Sequence, residues 1–128
     1  MSDPVWLLEV AVHIAHEISL ANFGGAEGIR DQNSLESALA RPRSQFVYGT
    51  TEIPELAAAY TAGIVKNHPF VDGNKRTGFL AGAAFLELNG LRLTATEPEA
   101  TQIIFGLAAG NLSELQLAEW FREKSVIS

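Results

Sequence analysis

The sequence contains no cysteine, which excludes disulfide frameworks, thiolate metal sites and cysteine nucleophiles and leaves stability to the packed core. Charge is sparse too, at 19% of residues, with 15 acidic against 9 basic side chains and a net charge of −6. An acidic chain is poorly suited to wrapping a polyanion, so direct nucleic-acid binding is not expected and any nucleotide must be held locally. Long apolar runs are missing as well. The longest uncharged stretch, Ala100 to Ser113, falls short of the ~20 apolar residues of a membrane helix and includes Gln102, Gly110 and Asn111. The start does not read as a secretion signal, because Asp3, Glu9 and Glu17 interrupt the first apolar stretch. Together these absences lead us to expect a cytoplasmic protein without membrane association. Low-complexity tracts and repeats of fixed period are also lacking. What is present, 47% hydrophobic residues in 128 positions, suits one globular domain over 1–128 and is too little chain for a separate substrate lobe.

Local signals predict an all-α domain of about six helices. Asp3 and Pro4 resemble a cap and first helical position, with Val5, Leu8, Val12, Ala15 and Ile18 continuing an apolar pattern to about Leu20. Gly24, Gly25 and Gly28 then put three glycines in five positions, a density that asks for unusual backbone angles or close approach of another segment. Asn33 and Glu36 have capping-box spacing, opening a helix that should stop before Pro42. Phe46 to Ile53 has β-like content and is predicted as a small hairpin or flap. A helix from Pro54 ends by Asn67, because His68 precedes Pro69. Beyond Gly73, Phe79, Leu80, Ala83, Ala84, Leu86 and Leu88 describe a buried central helix up to Asn89-Gly90. Thr96 with Glu99 and Ser113 with Gln116 are capping boxes for two more helices, ended by Gly110 and by the polar tail after Lys124. Trp6, Trp120 and Phe121 are read as core packing on helix faces.

Between the two middle helices, His68-Pro69-Phe70-Val71-Asp72-Gly73-Asn74-Lys75-Arg76-Thr77-Gly78 concentrates polar chemistry in an Ala- and Leu-rich region. Gly73 and Asn74 open the central helix, so unpaired N–H groups and the positive dipole end face whatever fills the loop. Lys75 and Arg76 in its first turn have the wrong sign for that end, a conflict an anionic ligand resolves. Asp72 is either a salt-bridge partner or a carboxylate for Mg²⁺ shared with substrate phosphates. His68, held between a helix end and Pro69, is a candidate general base. The combination points to phosphate-ester chemistry on a hydroxyl; the plain alternative is a capped helix start with a solvated charge cluster.

The run HPFVDGNKRT resembles the signature loop of the Fic/Doc superfamily in its death-on-curing (Doc) branch, H-x-F-x-D-[AG]-N-K-R-T, at all eight specified positions. The likeness extends to Ala15-His16-Glu17, to Gly24-Gly25-Ala26-Glu27-Gly28-Ile29-Arg30-Asp31, to Leu35–Pro42 and to Phe85–Gly90. The resemblance implies an all-α toxin of a bacterial toxin–antitoxin pair. It makes His68 the catalytic base and Asp72 the Mg²⁺-positioning acid, with Gly73, Asn74, Lys75 and Arg76 binding the phosphates of ATP; Phe70 is the buried aromatic that anchors the loop. Its implied activity is transfer of the γ-phosphate of ATP to a Thr or Ser of a translation protein, elongation factor Tu being the suggested target. Fic enzymes that transfer AMP read H-P-F-x-[DE]-G-N-G-R-x-x-R, from which Lys75 and Phe79 depart. AMP transfer and a non-catalytic module for nucleotide or antitoxin are the alternatives. No [ST]-x-x-x-E-[GN] inhibitory helix is found, so restraint is expected from an antitoxin whose disordered segment folds into an apolar groove of the N-terminal half.

Other residues admit plainer readings. His13 and His16 share a helix face with Glu17, but H-x-x-H-E matches no zinc-protease order, and His16 reads better as a structural or groove residue. Arg30, Arg41, Arg43, Lys66, Lys75 and Arg76 hold six of the nine basic charges; either they are solvated, or one or two further cations converge on the loop, Lys66 being the first candidate.

Overall fold

The computed structural model describes residues 3–128, which form six helices and a two-stranded sheet in the order α1 (Glu9–Phe23), α2 (Gln32–Val47), α3 (Ile53–Asn67), α4 (Asn74–Leu88), β1 (Leu91–Leu93), α5 (Glu97–Ala108), α6 (Glu114–Lys124) and β2 (Ser125–Ile127). The all-α expectation holds, with the small sheet as an addition. β1 and β2 pair antiparallel, Arg92 opposite Val126, and tie the end of the chain to the turn after α4. Each strand is three residues long, too short for alternation to stand out in the sequence.

α3 is the most buried element. Every residue from Leu56 to Val65 is buried, and the helix packs against α2, α4 and α6. α4 touches α1, α3 and α5 but leaves Phe79, Leu80, Ala83 and Ala84 only partly covered. Its contact with α3 depends on glycine: a Cβ at Gly78 would lie 2.8 Å from Val65 Cγ2 and 3.0 Å from the Thr61 carbonyl, and the Thr61 hydroxyl donates to the Gly78 carbonyl at 2.8 Å. Close approach of two backbones through small residues fixes where the N-terminus of α4 sits relative to the C-terminus of α3.

Four local expectations fail, at the start of the chain, at the cap of α2, at Pro42 and at residues 46–53. Asp3 and Pro4 do not start a helix; residues 3–8 lie across the core, with the Val5 N–H donating to Asn89 Oδ1 at 2.8 Å and the Leu7 N–H to the Tyr60 hydroxyl at 3.2 Å. Trp6 therefore packs from this segment, not from a helix, against Phe46 and Phe85 at 5.6 and 6.0 Å between centroids. α2 is capped by Asp31 rather than Asn33, its carboxylate accepting from the N–H groups of Asn33 and Ser34. The Ser34 hydroxyl and N–H hold that carboxyl below its ordinary range. α2 then runs through Pro42, which is buried within it. Inside a helix proline removes one donor and crowds the carbonyl four residues earlier, and burial of its ring is the contribution that opposes that cost. Phe46 and Val47 are consequently helical, and the expected hairpin or flap at Phe46–Ile53 is a plain turn at Tyr48-Gly49. Both later capping boxes, Thr96 with Glu99 and Ser113 with Gln116, form as predicted.

Candidate active site

The loop between α3 and α4 begins at His68, which caps α3 with φ 50 and ψ 56, the one non-glycine residue at positive φ among those described. Such a conformation crowds Cβ and needs support from neighbours. That support comes from Gly28–Asp31. The Val71 N–H donates to the Gly28 carbonyl at 3.0 Å, Ile29 and Phe70 form an antiparallel bridge, and the N–H groups of Arg30 and Asp31 donate to the Pro69 carbonyl at 2.7 and 3.1 Å. The Arg30 side chain adds Nε to the His68 carbonyl at 2.5 Å and Nη2 to the Asn67 carbonyl at 2.7 Å.

Phe70 is buried and stacks on His16 at 3.9 Å, while His16 Nε2 lies 2.8 Å from the Asp72 carbonyl. His16 is thus structural. Asn74, 9% exposed, closes the loop from inside: its Oδ1 accepts from the Phe70 N–H at 2.9 Å and its Nδ2 donates to the Phe70 carbonyl at 3.0 Å. Both ends of that amide are engaged, so the phosphate contact expected of Asn74 falls to its main-chain N–H.

Gly73 occupies the cap of α4 at φ 79 and offers no side-chain acceptor, which leaves the Asn74, Lys75 and Arg76 N–H groups without protein partners among the described residues. Asp72 forms no ion pair among the described residues. Its Oδ1 accepts from the Gly73 N–H at 2.9 Å and its Oδ2 from the Ala26 N–H at 3.2 Å. The glycine-rich loop holds this carboxylate: at Gly25, φ 121, a Cβ would stand 3.0 Å from Asp72 Oδ2. Each oxygen keeps a free lone pair, and Asp72 is exposed. An exposed carboxylate with free lone pairs is the kind of group that would hold a Mg²⁺ shared with substrate phosphates, where the metal would supply positive charge.

These groups line a cleft of about 760 Å³, bounded by α1 through Phe23, by the loop through His68 and Asp72, and by α5 through Ile104 and Phe105. Lys75 Nζ lies 5.8 Å from the centroid of Phe105, and the Arg76 guanidinium carbon 3.2 Å from that of Phe23. Neither cation forms an ion pair among the described residues. Lys66 does not line the cleft, since a side chain two residues before His68 leaves α3 on the other side. Arg41 pairs with Glu114 and Arg43 stands over Trp6. The further cation that does reach the loop is Arg30, which grips its backbone from behind. Phe23 and Phe105 are sites the sequence did not single out; two rings exposed beside cations become recognisable only in space.

A family model described as the Fic/DOC family matches residues 6–86, taking in the glycine-rich segment, the loop and most of α4. Over 76 residues the chain is 45% identical to Toxin Doc of Mycolicibacterium smegmatis, covering 57% of this chain and 58% of that protein. The chain thus spans less than two thirds of the length of the curated relative it matches.

Proposed function

The chain belongs to the Fic/DOC family, and from that premise we propose that it is a Doc-type toxin transferring the γ-phosphate of ATP to a Ser or Thr hydroxyl of a translation protein, elongation factor Tu being the first target to test. The observation that carries this reading is one cleft in which an exposed histidine, an uncapped helix N-terminus and two cations with no ion pair among the described residues meet. In the proposed step the target hydroxyl oxygen attacks the γ-phosphorus and its proton passes to His68. The bond to the bridging oxygen breaks and ADP leaves. The main-chain N–H groups of Asn74, Lys75 and Arg76 and the two side-chain cations bear the charge of the phosphoryl group, positioning being most of what such a transfer requires. Mg²⁺ held between Asp72 and the phosphates would neutralise further charge.

Phosphoryl rather than AMP transfer is supported by Lys75, whose side chain occupies the place of the second glycine in the AMP-transferring pattern, and by Phe79, which brings no charge to the cleft. Restraint of the toxin is assigned to an antitoxin segment folding as an amphipathic helix on the N-terminal half. Val10, Ile14 and Ile18 support this by forming an exposed apolar stripe at four-residue spacing on α1. Purified protein incubated with cytosol and γ- or α-labelled ATP tests the reading. Label from the γ position and a phosphate mass on the target support it. An AMP mass overturns the nucleotide pose, and no label in either case, with no growth arrest on expression, favours a binding module.

A further inference from the structure

We propose that Arg30 is the positioning residue of His68, an assignment that rests on reading His68 as the base. Three consecutive carbonyls at the end of α3 meet this one residue: Asn67 through Nη2 at 2.7 Å, His68 through Nε at 2.5 Å, and Pro69 through the Arg30 main-chain N–H at 2.7 Å. A helix C-terminus presents unpaired carbonyls and negative partial charge, and a guanidinium is the side chain whose fixed fork can bind two adjacent carbonyls while adding a positive charge there. His68 is held between these bonds at φ 50 and ψ 56, a backbone conformation that L-residues rarely adopt and that sets where its imidazole leaves the chain.

The main chain at Arg30 is itself fixed. Its neighbour Ile29 bridges Phe70, and Asp31 both donates to Pro69 and caps α2. Arg30 thus transmits the placement of α2 to the direction of the His68 side chain. It does not line the cleft and touches no phosphate-binding group, so its contribution is to the orientation of the base and not to nucleotide affinity. Lysine at this place keeps the charge and loses the fork; glutamine loses both the charge and one of the two bonds.

The test compares wild type, Arg30→Lys and Arg30→Gln in the full chain. Because Arg30 acts on orientation alone, kcat for target modification should fall at least tenfold in Arg30→Gln and less in Arg30→Lys, with KM for ATP within about twofold of wild type in both. Ethylguanidinium should restore part of the rate to an Arg30→Ala variant. An independent readout without nucleotide is the His68 Cα chemical shift, which should leave its left-handed value in Arg30→Gln while amide shifts in α4 stay put. Unchanged kcat and an unchanged His68 shift overturn the assignment, as does a rise in KM that matches the fall in kcat. If Arg30→Gln does not fold, Arg30→Lys supplies the same two measurements. A wild-type protein that modifies nothing refutes the functional reading, and the chemical shift still decides whether Arg30 sets the backbone of His68.

Discussion

The ring of His16 lies flat on that of Phe70, and its Nε2 reaches the main-chain carbonyl of Asp72 at 2.8 Å. A carbonyl only accepts, so Nε2 carries the proton and donates. One buried side chain on α1 thereby fixes both the anchoring aromatic and the acidic residue of the loop. His16→Ala removes the stacking and leaves the Asp72 carbonyl without this partner. The expected cost is about 2 kcal/mol, from a lost buried hydrogen bond and a ring contact. Chemical denaturation reads it, and a variant as stable as wild type would show that the loop does not lean on α1.

Gly25 should tolerate no side chain. At φ 121 an L-residue is strained, and a Cβ there would press on Asp72 Oδ2 and Leu20 Cδ2, each 3.0 Å away. Leu20 can shift, but the carboxylate is tied to the N–H groups of Gly73 and Ala26. Gly25→Ala is therefore expected to lose about 1 kcal/mol or more in stability and to raise the Mg²⁺ concentration needed for half-maximal target modification. An unaltered Mg²⁺ requirement would separate the glycine-rich loop from the metal role proposed for Asp72.

What could be seen in the sequence divides along the range of the interactions involved. The capping boxes at Thr96 and Ser113 are closed within four residues, and both form as read. His68, Asp72, Gly73, Lys75 and Arg76 stand in one contiguous loop and helix start, so their meeting in one cleft was visible as well. The extended course of residues 3–8 depends on Asn89 and Tyr60, more than fifty residues away, against which the local signal of Asp3-Pro4 has no force. The inward turn of the Asn74 amide and the grip of Arg30 on Asn67 and His68 are likewise facts of tertiary placement. A basic residue in a sequence does not say whether it will meet a phosphate or a carbonyl.

Gly82 poses two opposed effects whose sizes can be compared. Alanine is favoured over glycine inside a helix by about 1 kcal/mol. Here its Cβ would overlap Thr61 Oγ1 and lie 3.1 Å from Phe121 Cζ and 3.2 Å from the Ala57 carbonyl. The Thr61 hydroxyl is bonded to the Gly78 carbonyl and cannot turn away without losing that bond. Overpacking of this kind costs roughly 1–3 kcal/mol before any gain is counted. Gly82→Ala should accordingly lower the melting temperature, whereas a rise would mean that α3 and α4 are free to separate.

Acid stability should depend on Glu99. The Lys124 ammonium, bonded to its carboxylate at 2.8 Å, together with the Thr96 N–H and hydroxyl, lowers its pKa from 4.5 to about 2. The folded value is below the unfolded one, so the stabilisation is fully present above pH 4.5 and disappears as the pH falls through about 2. Glu99→Gln should be less stable than wild type at neutral pH and approach it in the acid range. Parallel denaturation curves at pH 7 and pH 2.5 check this, and a constant difference between the two would show that the pair adds no pH dependence.

The Arg76 guanidinium resting on Phe23 defines a last expectation about nucleotide binding. Arg76 meets no carboxylate among the described residues, and its guanidinium carbon lies 3.2 Å from the ring centroid. Phe23 itself is 53% exposed, so the ring contributes little to the core and stands in the cleft under the cation. A stacked guanidinium keeps its edge N–H groups free, in a fixed plane, for phosphate oxygens. At a partly exposed site such stacking is worth about 0.5–1 kcal/mol. Phe23→Leu keeps an apolar side chain and removes the ring face, so KM for ATP should rise roughly two- to fivefold, as that energy converts, with kcat little changed. Arg76→Lys should be worse, because an ammonium offers neither the plane nor the fork. Steady-state kinetics of target modification over a range of ATP concentrations settles it. A fall in kcat at constant KM for Phe23→Leu would place the ring's effect on the transferred group and not on the hold over the nucleotide.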